Sequence, residues 1–239
     1  MSPNPQSFLT HLQQKGYNPR SNKHSNALAE AIVADLLAGC PAMRRDAALG
    51  KLVYSVNFTL SAGTSDWNVD LVLGVPAAGT SKPGGAAAIA RIAPSRVRVA
   101  IEIKSIMTEH RKAVKNRKRD LEAHHSHVHA YDQKAIAAGV LVVNQAGRFK
   151  STLRAETTAH QDPVALVEHC MREMRAVATR TSARGEGMDA KAVLVVDMDN
   201  IDLNSTRYVA RSPAPQVGSP LHYDAFLQTI CDLYAQRFG

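Results

Sequence analysis

Asp70, Glu102 and Lys104 are of the types that perform metal-assisted hydrolysis, and two of them are spaced to act together. Residues 96–106 alternate like a half-buried strand, with Val97, Val99, Ile101 and Ile103 expected on one face and Arg96, Arg98, Glu102 and Lys104 on the other. Glu102 and Lys104 should therefore project into one space, where a carboxylate can hold a hard cation and an amine can assist an attacking water. Asp70 interrupts an earlier apolar run in which Val69, Leu71 and Leu73 share a face, and it supplies a second acid.

The acid-x-Lys triplet is a weak signal by itself, because with 21 acidic residues the chain should contain about one by chance. It contains three: Glu102-x-Lys104, Asp132-x-Lys134 and Asp189-x-Lys191. The triplet at Asp132 falls at the end of a charged helix, and the one at Asp189 in a loop before a strand. Only Glu102 and Lys104 lie inside an alternating apolar strand, where a charge needs a partner or a metal to offset its desolvation.

The surrounding elements can be read from periodicity. Residues 27–37 form a helix with Leu28, Ile32 and Leu36 in line, ending at Gly39, and Ser25 or Asn26 as its cap. Residues 51–60 and 67–73 read as strands, joined by a turn-like stretch. Residues 74–94 are an irregular connection; its Gly79 to Gly85 segment does not have phosphate-loop spacing. Residues 107–133 form one long helix or two short ones. Val140 to Val143 and Ala192 to Val196 are strands buried on both faces, Asp162-Pro163 opens a helix, and Ser219-Pro220 begins the last one. Asp197 and Asp199 end the second buried strand and cap the turn that follows.

This order implies one α/β domain over residues 1–239, a mixed sheet covered by helices on both sides. Residues 1–24 read as a polar N-terminal extension, either a short helix or a loose arm. The formal net charge of +8 favours a polyanionic partner. No apolar run reaches about eighteen residues and no signal peptide is evident, so no membrane and a cytoplasmic location are expected. Cys40, Cys170 and Cys231 are too dispersed for a disulfide framework or zinc knuckle.

Asp70 on one strand, Glu102-Ile103-Lys104 on the next, and a helix on either side resemble the PD-(D/E)XK nuclease superfamily, over a little under half of the chain. Val69 stands where that motif has proline. The resemblance implies a restriction-endonuclease-like mixed central β-sheet flanked by α-helices, and cleavage of double-stranded DNA with Mg2+, for which Mn2+ substitutes. It implies that Asp70, Glu102 and the carbonyl of Ile103 hold the metal and that Lys104 orients the water; in some relatives the first helix adds an acid, for which Glu30 is the candidate. A role in restriction or anti-phage defence, as a homodimer or larger homo-oligomer, follows from the same resemblance. The alternative is a DNA-binding or assembly protein that keeps the fold without the chemistry.

Arg111, Lys112, Lys115, Arg117, Lys118 and Arg119 directly follow the Glu102 strand and are expected to contact DNA phosphates. His124, His125, His127 and His129 invite a zinc-hydrolase reading, but on a helix His127 points away from His125 and His129, so surface histidines are expected instead.

Overall fold

The computed structural model describes residues 4–62, 65–80, 89–107 and 110–239, with residues 62, 65 and 110–112 described by their backbone alone. In chain order the elements are α1 (Gln6–Lys15), α2 (Lys23–Gly39), α3 (Pro41–Ala48), β1 (Val53–Ala62), β2 (Ser65–Val75), β3 (Ala90–Arg91), β4 (Arg96–Ile106), α4 (His110–Tyr131), β5 (Ile136–Asn144), β6 (Arg148–Phe149), β7 (Thr158–Ala159), α5 (Pro163–Ala176), β8 (Ala190–Asp197), β9 (Arg207–Tyr208) and α6 (Tyr223–Phe238). Most of the Gly79–Gly85 segment falls outside the described residues.

Seven strands form one sheet in the order β3-β1-β2-β4-β5-β8-β9. The β1–β2 and β2–β4 pairs are antiparallel, whereas β4–β5 and β5–β8 are parallel. The long crossovers carrying α4 and α5 permit this change of sense, since parallel neighbours need a connection over the sheet. The result is an α/β fold with a mixed sheet between helices, consistent with a restriction-endonuclease-like arrangement. One face packs on α1, α2, α3 and α6 through residues such as Leu12, Ile32, Met43 and Phe226. The other packs on α4 and α5 through Leu121, Leu166 and Met171.

β5 is buried at every position: Val140 and Val142 face the first layer, and Leu141 and Val143 the second. Its continuous apolar run is what a two-sided burial requires. Gly139 lies opposite Glu102, and a Cβ there would meet Leu121 Cδ2 at 2.7 Å. The missing side chain lets α4 lie close over β4, which brings His124 to Glu102.

The N-terminal segment is more than a polar extension. Residues 6–15 form α1, and Phe8 and Leu12 join the main core, anchored further by Tyr208 Oη donating to the Pro5 carbonyl at 2.9 Å. Two prolines and interspersed glutamines obscure a stripe of only three apolar residues. No single helix among the described residues is long and apolar enough to cross a membrane.

Two local irregularities change which way side chains point. Leu73 pairs with Val99 but Gly74 pairs with Val97, so Arg98 is the extra residue of a β-bulge. Val97 consequently joins the cluster beside α4, while Arg98 turns to the opposite face and donates to Tyr234 Oη at 2.6 Å and Asp46 Oδ2 at 3.0 Å. In the β1–β2 hairpin, between the Val56↔Leu71 and Phe58↔Val69 pairs, Asn57 takes a φ of +52°, a conformation asparagine tolerates better than most residues. Val69 then faces the α4 side and Leu71 the α2 side, contrary to the shared face expected from alternation.

Candidate active site

The site begins where β2 leaves β4. Their ladder ends at Leu71↔Ile101, and one residue beyond it the Asp70 carboxylate takes over: Oδ2 accepts the Ile103 N–H at 2.8 Å. A residue's N–H and C=O leave a strand on the same edge. The Ile103 carbonyl therefore also opens toward Asp70, in the gap between the two strands. Burial raises the Asp70 pKa, against the lowering effect of the Ile103 N–H, Lys104 and the Ser25 side chain at the start of α2.

Glu102 projects on the α4 side and is 2% exposed. Its Oε1 forms an ion pair with Lys104 Nζ, so the two side chains do share one space. Burial pushes the Glu102 carboxyl up to about 7; Lys104 opposes that rise and the neighbouring charge of Asp70 adds to it. Oε2 has no hydrogen-bond partner and lies 3.7 Å from His124 Nδ1, which is equally unpartnered. A buried carboxylate oxygen without a donor is costly and calls for a proton or a cation.

Among the described residues, no three His, Cys, Asp or Glu side chains converge as a preformed metal cage. Mg2+ does not require one, because it keeps several waters and commonly uses one or two carboxylates. Asp70, the unpartnered Glu102 oxygen and the Ile103 carbonyl are the oxygens that would hold such an ion.

Beside the cluster is a cavity of about 210 Å³ with an apolar wall that includes Leu28 and Met107 and a polar rim of Ser25, Lys104, Ser105 and Arg117. Tyr17 closes one side, its hydroxyl 2.7 Å from Ser105 Oγ. Neither Tyr17 nor Ser25 was indicated by spacing; only the packing of α1 and α2 against β4 brings them here.

The remaining candidates separate. Glu30 is not part of the cluster: its carboxylate accepts from Tyr54 Oη at 2.5 Å and Arg91 Nη1 at 3.0 Å, on strands β1 and β3, which lie on the far side of β2 from β4. Its off-core position on α2 is a charged contact with the sheet edge. In the basic segment, Arg117 reaches the cavity rim while also pairing with Asp120 at 3.1 Å. Lys118 instead faces α5, 3.4 Å from Glu173. Lys115 and Arg119 are exposed, and the side chains of Arg111 and Lys112 lie outside the described residues.

The histidines are not a surface group. His124, His125 and His129 are buried, and His127 stacks on Trp67 with ring centroids 4.5 Å apart. The β1–β2 hairpin folds over α4 and covers this part of it, which helical periodicity could not reveal. His129 instead meets Asp189, with Nε2 3.3 Å from Oδ2. Asp199 caps its turn as expected, with Oδ1 accepting from the N–H groups of Ile201 and Asp202 at 2.8 and 3.0 Å. No protein-family model, no curated protein and no solved structure matches this chain.

Proposed function

We propose that the chain is an Mg2+-dependent endonuclease that hydrolyses phosphodiester bonds of double-stranded DNA. The observation that carries the reading is the meeting of Asp70, Glu102 and Lys104 at the β2–β4 divergence, with a buried Glu102 oxygen lacking any donor. Asp70, Glu102 and the Ile103 carbonyl would hold Mg2+, which when bound lowers the pKa of water and neutralises charge on the transition state. Lys104, held by Glu102 and partly open to solvent, would donate to the attacking water or to a non-bridging phosphate oxygen. Arg117 on the same rim would position an adjacent phosphate through its planar guanidinium.

The excess of positive charge favours the polyanionic substrate. One such cluster cuts one strand, so cleavage of a duplex calls for a homodimer or larger homo-oligomer. Restriction or anti-phage defence is the setting in which a nuclease of this design would act.

Incubation with supercoiled plasmid tests this reading. The expected result is nicked and linear DNA with Mg2+ or Mn2+, abolished by EDTA. Tight, salt-sensitive binding without cleavage under either metal would instead support a DNA-binding protein of the same fold and overturn the assignment.

A further inference from the structure

A second, larger cavity of about 1120 Å³ lies at the N-terminal ends of β5 and β8. The Glu102–Lys104 pair lies toward the other end of β4. Its wall gathers cations from three separate segments: Lys134 between α4 and β5, Arg180 and Arg184 after α5, and Arg237 in the last turn of α6. Two of the three acid-x-Lys triplets thus contribute to one place, through Lys134 and Asp189.

Among the described residues Asp189 is the one carboxylate in this wall, and its bonding is taken up. Oδ1 accepts from Arg237 Nη2 at 2.6 Å, while Oδ2 accepts the Ala137 N–H at 2.9 Å and faces His129. Burial would raise its pKa, but His129, Arg237 and the Ala137 N–H together hold it below the usual range. It is therefore charged and committed. Four cations against one carboxylate leave three positive charges in excess.

Two further features point to an anionic guest. Arg180 is 1% exposed at its side chain and is pinned by the Gln133 and Ser182 carbonyls, yet its Nη1 has no hydrogen-bond acceptor, Asp189 Oδ2 being 3.8 Å away. Arg184 is exposed, and Thr179, Thr181 and Thr229 supply hydroxyls among the cations. Lys134 and Arg184 are exposed at this concavity, where cations suit phosphate oxygens, while Arg180 and Arg237 stand behind them, held by backbone carbonyls and Asp189; a volume of this order suits a small molecule.

We infer that this cavity binds a small ligand bearing two or more phosphate groups, of the nucleoside polyphosphate class, independently of the carboxylate–lysine cluster. The same phosphate chemistry occurs in free nucleotides and in a nucleic-acid backbone; convergence of the cations around a hollow, and not along a helix face, favours the free ligand.

Calorimetric titration of the full chain in EDTA, with ATP, with pyrophosphate and with a short DNA duplex in separate runs, tests it. ATP and pyrophosphate should each bind saturably, and Arg184→Glu and Lys134→Glu should each weaken that binding about tenfold or more. Both substituted positions are exposed, so the fold is not at risk. Asp70→Asn should bind ATP as the unaltered chain does, which separates this site from the nuclease reading. No heat with either small probe up to about 10 mM would overturn the inference. So would ATP binding that Arg184→Glu leaves unchanged, or dependence on Arg184 seen with the duplex alone.

Discussion

Glu102 Oε2 stands 3.7 Å from His124 Nδ1, and neither atom has a hydrogen-bond partner. His124 Nε2 lies 3.2 Å from the Ala100 carbonyl, which can only accept, so Nε2 carries the proton and Nδ1 presents its lone pair. Burial drives the His124 pKa down to about 3, and the ring is neutral at ordinary pH. An ionised Glu102 therefore faces a lone pair 3.7 Å away. The fold tolerates this arrangement at the expense of stability unless a proton or a cation intervenes.

Replacing Glu102 with glutamine should accordingly stabilise the metal-free protein. The Glu102 carboxyl is raised to about 7, chiefly by burial, above its unfolded value. Between those two pKa values the folded state holds more protons than the unfolded state, so wild-type stability falls as pH rises through that window. Glu102→Gln removes the loss and its amide can donate to His124. In EDTA at pH 8 the variant should be more stable by on the order of 2 kcal/mol, and the difference should vanish near pH 5. Thermal melts at the two pH values check this, and equal melting at pH 8 would count against a raised carboxyl.

The basic helix should divide by residue. Arg117→Ala should weaken DNA binding several-fold and reduce the salt dependence by about one phosphate contact. Lys118→Ala should leave binding nearly unchanged, because Lys118 is engaged with Glu173 and Glu122; its loss should alter stability by less than about 1 kcal/mol. Fluorescence anisotropy over a salt series distinguishes the two, and equal losses would contradict the orientation of α4.

The N-terminal helix should behave as core. Leu12 is fully buried, so Leu12→Ala should cost roughly 2–5 kcal/mol in denaturant unfolding. A change under about 0.5 kcal/mol would return residues 1–24 to the status of a dispensable extension.

What was legible in the sequence was whatever depended on local period and turn chemistry. The β4 limits match those read from alternation, and Asp162 caps α5 with its side chain accepting the Ala165 N–H at 2.9 Å. The shared direction of Glu102 and Lys104 was likewise readable, because both lie past the bulge. Arg98 and Val97 were misplaced because a single inserted residue inverts the faces on one side of it relative to the other, and nothing in the local composition marks it. Glu30 and the histidines failed for another reason: their partners, Arg91, Trp67 and Asp189, are distant in sequence, and only tertiary packing supplies them. Short edge strands and the eight-residue α3 carried too little pattern to detect.

The central claim is that Asp70, Glu102 and Lys104 form one hydrolytic site, and single-turnover cleavage of a DNA duplex in Mg2+ by Lys104→Met, with Glu30→Gln as the control, tests it most directly. Loss of an amine that acts on the water or the phosphate should slow cleavage by about a hundredfold or more while the variant still melts cooperatively and binds the duplex. Glu30→Gln, altered only at its contact with Arg91 and Tyr54, should cleave within about twofold of the wild-type rate. Undiminished cleavage by Lys104→Met would contradict the account.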